Sequence, residues 1–373
     1  MKRIAASQNE PAIILLGAPQ GAAGGGMGRV VDYIVQATTS SNGAMESVPL
    51  ITRDDKSSKV SSLLLLARAV RKTFAMRRRA TLIHINMGDR GSALRKSILV
   101  LAGRAVGLPV FLHLHAVEME LLPKWALTAL GFVFRQATCV IVLGDRYRQW
   151  VMTQFGVKPD RVEILWNGVP VPSPESRAHA NTDQPVQILF LGSLGHRKGT
   201  HDILSALTLI PQGTPGWRMV FAGPGDLDKY KADAAAAGIA QYCTFTGWLD
   251  QAETRRTVSS SDMIVLPSYH EGLPLVILEA LGLGTPVIAT PVGVIPEVLT
   301  DGKDIVFCPV GQPAELAKAM ERLIEDPALR QSLCDNGLAR YRERFSLQAF
   351  SADLVSIWQR YTAKAGRAWP RLG

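Results

Sequence analysis

The segment "MIVLPSYHEGLPLVILEALGLGTPVIATPVG", residues 263–293, carries one complete strand–turn–helix–strand unit. The apolar run "MIVLPS" predicts a strand, Glu271 and Gly272 form the turn after it, and Pro274 suits the first position of a helix. The β-branched run "PVIATPVG" then predicts a second strand. Apolar strands separated by a helix indicate a parallel sheet that is covered on both faces.

The same alternation runs through all 373 residues, which exceed the roughly 100–200 residues of one domain. A stretch rich in proline, serine and polar residues, at 167–185, separates two sets of strands and predicts an interdomain linker. We therefore predict two doubly wound α/β domains, at 1–170 and 171–350, with a ligand in the cleft where the carboxyl ends of the two sheets face each other. The strand candidates are "AIILLGAP", "ATLIHINM", "PVFLHLHA", "ATCVIVLG" and "RVEILWNG" in the first set, and "VQILFLGSL", "WRMVFAGPG", "YCTFTGW", "DMIVLPSY", "PVIATPVG" and "DIVFCPV" in the second.

The positive charge is concentrated in the first half of the chain. The first 170 residues contain 22 lysines and arginines against 11 aspartates and glutamates, whereas the remainder contains 19 against 21. Within the basic half, "SSLLLLARAVRKTFAMRRR" at 61–79 places Leu63, Leu66, Val70 and Phe74 at helical spacing among the cations. Nucleic acid, anionic lipid or a phosphorylated ligand suits a basic patch, and this pattern favours a helix on a membrane surface. A core-packed helix with a basic outer face would carry the same pattern.

Cysteine spacing and hydropathy argue against several classes of protein. Four widely spaced cysteines without a C-x-x-C pair argue against a zinc site or a disulfide framework and fit a reducing cytoplasm. The apolar run "AIILLGA" is too short, and follows too polar a stretch, for a secretory signal. Arg135 and Gln136 interrupt the longest apolar stretch, so no run reaches the roughly 18 residues of a membrane helix. We therefore expect a cytoplasmic protein.

Two glycine-containing turns follow predicted strands. "GAAGGGMGRV" at 21–30 has neither the G-x-G-x-x-G nor the G-K-[ST] pattern, so it predicts only a flexible loop that approaches a ligand before a helix beginning near Met27. "FLGSLGHRKGTHDILSAL" at 190–207 places Arg197 and Lys198 just before a helix, where N–H groups and the helix dipole favour an anion. The second turn is therefore the stronger candidate for phosphate binding.

The two carboxylates of "EGLPLVILEA", Glu271 and Glu279, are eight positions apart. Eight helical residues span about 12 Å and turn the two side chains about 80° apart, which exceeds the roughly 5–5.5 Å of a retaining glycosidase pair. The pair is better placed to hold two parts of one extended ligand. Because Leu278, Ala280 and Leu281 surround Glu279, we expect that carboxylate to be buried and hydrogen-bonded.

A further acidic pattern, "DLD" at 226–228, follows "FAGPG" and starts a helix. An N-capping role explains it better than a metal site does. No cluster of histidine, aspartate and glutamate has convincing metal-ligand spacing, so we predict no essential metal.

Taken together, these motifs resemble those of the retaining, nucleotide-sugar-dependent glycosyltransferases of the GT-B fold that share the E-x7-E spacing, glycosyltransferase family 4 or "glycosyl transferases group 1". Within that family the chain looks most like enzymes that extend lipid-linked sugars for exopolysaccharide. The resemblance covers nearly the whole chain and implies that a C-terminal helix, at 351–373, returns to the first domain. The motifs that carry it are the glycines at 24–28, "HLHA" at 113–116, "NGV" at 167–169, Lys-Gly at 198–199, "EGLPLVILEA" and "TPVGVIPEVLTDG" at 290–302.

The resemblance also implies roles for individual residues. Glu279 would accept hydrogen bonds from the donor ribose, and Glu271 would hold hydroxyls of the transferred sugar. Lys198 would be the main cation at the diphosphate, with Arg197 beside it. The donor site would be completed by Gly272 in the turn, by the N–H groups of Leu275 and Val276, and by Gly25 and Gly26 of the first loop.

His115 would line the reaction centre, whereas the residues alone leave His113 and His115 as equal candidates, one of them structural. Ser193 stands where members of the family commonly carry a basic residue, so either Arg197 replaces that residue beside Lys198 or the phosphate clamp is weaker. The sequence leaves this choice open.

The implied activity is transfer of a hexosyl group, of mannose or glucose type, from a UDP- or GDP-sugar to a polyprenyl-diphosphate-linked saccharide in exopolysaccharide or cell-envelope synthesis. No further cofactor and no nucleic acid are implied. The first domain would meet an anionic membrane, placing the protein in the cytoplasm or peripherally at the inner face of the plasma membrane. Two alternatives remain: a GT-B sugar-nucleotide epimerase or hydrolase, and a non-catalytic basic membrane-binding protein.

Overall fold

The structure is a computed structural model that describes residues 11–18, 25–41, 43–53, 59–88, 90–115, 122–170, 184–211, 214 and 216–369. Two compact units are present. The first comprises Met1–Val169 together with Leu347–Gly373, and the second comprises Pro170–Ser346. Most of the predicted linker, and the loop that precedes Gly25, lie outside the described residues.

The first unit is built on a parallel sheet of six strands in the order β2-β1-β3-β4-β5-β6. Its inner strands are buried along their length, which explains their continuous apolar sequences. The sequence analysis missed β2, an edge strand that includes Pro49 and is buried at only two of its residues. The strands are β1 (Ala12–Ala18), β2 (Met45–Ile51), β3 (Leu82–Met87), β4 (Val110–Leu114), β5 (Cys139–Val142) and β6 (Val162–Ile164).

Five helices connect these strands. The first begins at Gly25, two residues before the predicted start near Met27. The helices are α1 (Gly25–Thr39), α2 (Lys59–Met76), α3 (Arg90–Ala105), α4 (Lys124–Gln136) and α5 (Asp145–Phe155).

The second unit contains all six strands predicted for it, again in a parallel sheet, in the order β12-β11-β10-β7-β8-β9. The prediction of two doubly wound parallel sheets is therefore confirmed. The strands are β7 (Val186–Leu191), β8 (Trp217–Ala222), β9 (Cys243–Gly247), β10 (Met263–Leu266), β11 (Val287–Ala289) and β12 (Val306–Phe307). The helices are α6 (Thr200–Leu207), α7 (Leu227–Ala236), α8 (Gln251–Ser259), α9 (Leu275–Gly282), α10 (Ile295–Val298), α11 (Pro313–Glu325) and α12 (Pro327–Arg340).

Each sheet has one topological switch point, where the strand order reverses. In the first sheet it lies between β1 and β3, because β2 is on the far side of β1. In the second it lies between β7 and β10, because β8 and β9 are on the far side of β7. The loops that leave two such strands diverge to opposite faces of the sheet and open a crevice between them.

The last helix, α13 (Leu347–Lys364), belongs to the first unit. The side chain of Trp358 is fully buried, and its indole N–H donates to Nδ1 of His84 at 3.0 Å. The hydroxyl of Tyr361 lies 2.7 Å from Oε1 of Glu163 in β6. A helix from the end of the chain thus completes one face of the sheet formed by its beginning.

The amphipathic pattern predicted for α2 divides between two environments. Leu66 is buried, whereas Leu63 and Phe74 are exposed, so the predicted apolar stripe lies at the border between the core and solvent. The buried face is formed by Leu66, Ala69 and Thr73, which are spaced for a helix that packs on a core. None of the helices in the described ranges is long and apolar enough to cross a bilayer.

Candidate functional site

The crevice at the switch point of the second sheet brings Lys198 and Glu271 together. Lys198 lies in a short 3-10 helix after β7, and Glu271 lies in the turn after β10. Because β7 and β10 are neighbours, the two turns meet, and Nζ of Lys198 donates to Oε1 of Glu271 at 2.5 Å. Both side chains are largely buried, with 14% and 8% of their surfaces exposed. The sequence analysis gave these residues separate roles and did not predict their ion pair.

The turn that carries Lys198 is docked on the segment after β10 by backbone contacts. Gly199 has a φ of 70°, and a Cβ at that position would lie 2.2 Å from the carbonyl oxygen of Pro267. The N–H of Tyr269 donates to the carbonyl of Arg197 at 2.9 Å. Only glycine permits this close approach, so the Lys-Gly pair of the sequence has a physical cause.

Aromatic and acidic side chains also hold this turn. The ring of Tyr269 stacks on His196 with centroids 4.6 Å apart. The hydroxyl of Tyr269 is hydrogen-bonded to Asp202 in α6, and burial together with this carboxylate raises the pKa of the tyrosine. Lys198 therefore projects from a turn whose position is fixed on both sides, which a specific binding site requires.

A third turn, after β11, closes on Glu271. Gly293 has a φ of 61°, and a Cβ there would lie 2.1 Å from the carbonyl oxygen of Glu271. The N–H of Val294 donates to the carbonyl of Gly272 at 3.0 Å. This contact explains why the sequence carries Val-Gly after its β11 strand: a side chain at the glycine would displace the turn that holds Glu271.

Helix α9 starts directly behind Glu271. Pro274 is its N-cap rather than its first residue, and no side chain caps the helix. The first turn contains no acidic residue, so the N–H groups of Leu275 and Val276 are in the position where an anion is stabilised. Glu279, the fifth residue of the helix, is buried as predicted, with 8% of its surface exposed. A cation, helix N–H groups and a buried carboxylate thus follow one another along this crevice.

Arg197, Ser193 and the "DLD" pattern all lie among the described residues. Arg197 is exposed beside Lys198, and Ser193 is exposed after β7. The side chain of Asp226 accepts a hydrogen bond from the N–H of Lys229, which confirms the N-cap assigned to "DLD". Within the described ranges, no group of three or more histidine, cysteine, aspartate or glutamate side chains could hold a metal ion.

His115 lies at the carboxyl end of β4 in the first unit and is half-buried. Its Nε2 lies 2.9 Å from Oδ1 of Asn86, and burial, assisted by the charge of Lys96, lowers its pKa to about 3. His113 is fully buried, and its ring centroid lies 4.0 Å from that of His115. Both histidines are neutral at physiological pH, but His113 lies within β4, and only His115 lies beyond the carboxyl end of that strand.

Asn86 and Lys96 did not enter the predicted site. Asn86 alternates with His84 along β3 and pairs with His113 in the register of the sheet, so a search for polar residues on the buried face of that strand would have found it. Lys96 lies on the face of α3 that also carries Ala93 and Val100, both buried. A lysine among the core positions of an amphipathic helix is the signal that the sequence offered.

The first glycine loop is only partly described. Gly25 is the first residue of α1, and a Cβ added to the exposed Gly26 would meet nothing within 4 Å. No described contact therefore requires glycine at residue 26. Its predicted approach to a ligand stays a prediction.

Comparison with known families gives two matches that together span most of the chain. The family described as "Glycosyl transferases group 1" matches residues 173–340, and the family described as "Glycosyl transferase 4-like domain" matches residues 19–168. The boundary between the two matches falls at the boundary between the two units. Each of the two units is therefore matched by one of the two families.

Two similar curated proteins come from Mycobacterium tuberculosis. A glycogen synthase is 26% identical over 273 residues, which are 71% of this chain and 66% of that protein. A phosphatidyl-myo-inositol mannosyltransferase is 30% identical over 227 residues, which are 59% of this chain and 58% of that protein. The chain thus aligns with about two thirds or less of the length of these relatives.

A solved structure shares the whole architecture. The Anabaena protein HepE, in a complex with UDP-glucose, superposes with a TM-score of 0.73 at 17% identity, over 93% of this chain and 99% of that chain. At this identity the likeness concerns the fold alone.

Proposed function

Because the chain belongs to the GT-B glycosyltransferases of the "Glycosyl transferases group 1" family, we propose that it moves a hexosyl group from a UDP- or GDP-sugar to a saccharide hydroxyl. The sugar is of mannose or glucose type, and its anomeric configuration is retained. The observation that carries this proposal is the Lys198–Glu271 pair in front of the first turn of α9. A switch-point crevice with a cation, helix N–H groups and carboxylates suits a ligand that has a diphosphate and two sets of hydroxyls.

Each side chain then takes a role that its position supports. Lys198, held by Glu271, shares its remaining donors with the diphosphate, while Arg197 adds charge from the exposed side of the turn. The N–H groups of Leu275 and Val276 donate to phosphate oxygens. Gly272, whose carbonyl accepts from the N–H of Val294, keeps the turn close to the ligand.

The carboxylates hold hydroxyls on either side of the diphosphate. Glu271 accepts from hydroxyls of the transferred sugar, since a carboxylate has more lone pairs than the one that Lys198 engages. Glu279 accepts from the ribose. Carboxylates in these places orient the donor through hydrogen bonds and form no covalent bond to the sugar.

The reaction breaks the bond between the anomeric carbon and the phosphate oxygen, and the bonding electrons leave with the diphosphate. The acceptor hydroxyl attacks the same face of the sugar, and the departing phosphate oxygen takes its proton, so no protein nucleophile is needed. Negative charge therefore develops next to Lys198 and the start of α9. Preorganised donors aimed at that charge supply the main catalytic effect.

The acceptor in this proposal is a saccharide linked to a polyprenyl diphosphate, in exopolysaccharide or cell-envelope synthesis. Support comes from the outer surface of the first unit. Helices α2, α3 and α4 contain no aspartate or glutamate, although each carries lysine and arginine. They also expose large apolar side chains with exposed fractions from 39% to 76%: Val60, Leu63, Leu64 and Phe74 in α2, Leu94, Ile98 and Leu101 in α3, and Trp125 and Phe132 in α4.

We call this the α2–α4 surface. Cations without carboxylates attract anionic lipid headgroups, and exposed leucine, phenylalanine and tryptophan side chains insert among acyl chains. The α2–α4 surface would thus hold the enzyme peripherally at the inner face of the plasma membrane, where a lipid-linked acceptor is found.

The proposal is tested with the purified full-length chain and a panel of UDP- and GDP-sugars. A bound donor should raise the unfolding temperature, because a ligand at 100 times its Kd stabilises the folded state by about 2.7 kcal/mol. The stabilising donor is then incubated with a short-chain polyprenyl-diphosphate saccharide, and the anomeric configuration of the product is read by NMR.

We expect transfer with retention that depends on the acceptor. Release of free sugar at the same rate without acceptor would indicate a hydrolase, and a change in the donor sugar itself would indicate an epimerase. If the protein binds anionic vesicles and no nucleotide sugar stabilises it, the result would support a non-catalytic membrane-binding protein.

A further inference from the structure

The switch point of the first sheet contains a buried cation to which no role has been given. Lys96 extends from α3, and its Nζ donates to the carbonyl of Gly17, at the end of β1, at 2.9 Å. Only 2% of the residue is exposed, and it is among the largest fully buried side chains of the chain. The carboxyl ends of strands at a switch point are where doubly wound sheets bind ligands.

The charge of Lys96 is not compensated by the surrounding described residues. An ammonium group has three donors, and the structure gives it one carbonyl acceptor. Burial lowers the pKa of Lys96 to about 7, and the positive charge of Arg95 contributes to this shift. Buried ions are costly unless they are paired, so this side chain is suited to a ligand that brings negative charge.

The neighbouring groups would not compete with an anion. His115 and His84 are the other titratable groups affected by Lys96, and both are neutral because burial lowers the pKa of each to about 3. The first turn of α1 contains no acidic residue. Met27, in that turn, approaches Gly88 after β3, which brings the start of α1 to the same edge of the sheet.

Two buried polar atoms near this edge, the ring nitrogens of His113, have no partner among the described residues. Buried polar atoms are satisfied by protein, ordered water or ligand in nearly all proteins. The edge that holds Lys96 is thus polar, buried and incompletely bonded within the part of the chain that the structure describes.

We propose that Lys96 and the first turn of α1 form an anion site that binds a phosphate group of a diphosphate substrate. The site differs from the Lys198 site, which lies at the switch point of the other sheet. The identity of the diphosphate rests on the proposed function: it belongs either to the lipid-linked acceptor or to the nucleotide donor. Both offer the same chemistry to Lys96, and binding experiments distinguish them.

The test measures the binding of farnesyl diphosphate, inorganic pyrophosphate and UDP by isothermal titration at pH 6, to the wild type and to Lys96→Met. Methionine keeps the length of the apolar stem and removes the charge. Lys158→Met is the matched control, because Lys158 is an exposed lysine of the same unit that precedes β6. Thermal unfolding without ligand checks that each variant is folded.

We expect Lys96→Met to weaken farnesyl diphosphate and pyrophosphate binding at least tenfold and Lys158→Met to leave it unchanged. A loss confined to the lipid diphosphate and pyrophosphate supports the acceptor as the source, and a loss of UDP affinity supports the donor. Unchanged affinity for all three probes overturns the site. If neither UDP nor GDP binds the wild type, the proposed function fails while the comparison with pyrophosphate still tests Lys96.

A second measurement uses the wild type alone and does not depend on any variant folding. NMR of chains labelled at the lysine ε-carbon should show one lysine that titrates near neutral pH. Saturating pyrophosphate should move that titration upward by at least one pH unit, because an anion stabilises the ammonium form. A titration that pyrophosphate does not shift would overturn the proposal.

Discussion

The two switch points occupy equivalent places in their sheets, but the lysine at each of them has a different kind of partner. In the second unit Lys198 is paired with Glu271 at 2.5 Å, whereas in the first unit Lys96 is buried against a carbonyl and lies among neutral histidines. A paired cation is held in position before the ligand arrives. In the site that we propose, a buried cation without a carboxylate gains its counter-charge from the ligand. The comparison teaches that equivalent positions in two sheets can hold a lysine with or without a carboxylate partner.

The largest expected effect is at the paired cation. Lys198→Ala should lower kcat by roughly 10²–10³, about 2.7–4 kcal/mol, because it removes a preorganised donor at the leaving diphosphate. Initial rates with a saturating nucleotide sugar measure it. The control is Lys318→Ala, which breaks an exposed Lys–Glu pair of the same unit, at 2.8 Å, and should leave the rate unchanged. A Lys198→Ala enzyme at the wild-type rate would remove the basis of the comparison.

A smaller effect is expected at the buried carboxylate of α9. Glu279→Gln should raise the Kd of the bare nucleotide about tenfold with little change in kcat, because a charge-assisted hydrogen bond to the ribose becomes a neutral one. Titration with UDP and GDP measures the affinity. Glu315→Gln, an exposed helix position of the same unit, is the control. If kcat falls while the Kd does not change, Glu279 acts on the reacting bond and not on the ribose.

The neutral histidines of the first unit allow a test by pH. The pKa of His115 is lowered to about 3, so its imidazole is neutral above that pH and wild-type activity should not follow its titration between about pH 5 and 8. Asn86→Asp puts a carboxylate where Oδ1 lies 2.9 Å from Nε2 of His115. An adjacent opposite charge raises a histidine pKa by about 1–3 units. The variant should therefore lose about tenfold of its rate at low pH, with an inflection between about pH 4 and 6.

The pH–rate profile of Asn86→Leu separates charge from structure. Leucine removes the hydrogen bond without adding a carboxylate, so the rate should fall at every pH with no new inflection. Superimposable profiles for Asn86→Asp and Asn86→Leu would show that Asn86 does not control the protonation of His115.

The smallest effect concerns the outside of the first unit. Leu64→Ser should weaken binding to phosphatidylglycerol vesicles about threefold to tenfold, since part of one leucine side chain is no longer buried in the interface. Co-sedimentation with vesicles measures it, and transfer to a soluble acceptor should not change. Leu209→Ser is a close match, because Leu209 is 53% exposed in the second unit and Leu64 is 56% exposed in the first. Equal loss in both variants would argue against the α2–α4 surface.

The strands of the second sheet could all be predicted, because most are largely apolar runs and β9 alternates between apolar and polar residues. Strand β2 could not, since Glu46 and Pro49 interrupt its sequence and its place in the sheet is set by its pairing with β1. The apolar stripe predicted for α2 is divided between core and solvent for a similar reason. Periodicity gives the spacing of the apolar residues but not which of them meets the sheet, and Leu66 alone of the four is buried in the core.

The sequence by itself determined the type of most elements, the glycine turns and the two carboxylates eight positions apart, because these depend on residues close together in the chain. Only the tertiary structure joined Lys198 to Glu271 across 73 positions and Lys96 to Gly17 across 79. Both contacts exist because parallel strands far apart in sequence become neighbours at a switch point. Strand order is the result of packing the whole sheet, so a local pattern specifies the side chains of a site but not which of them will meet.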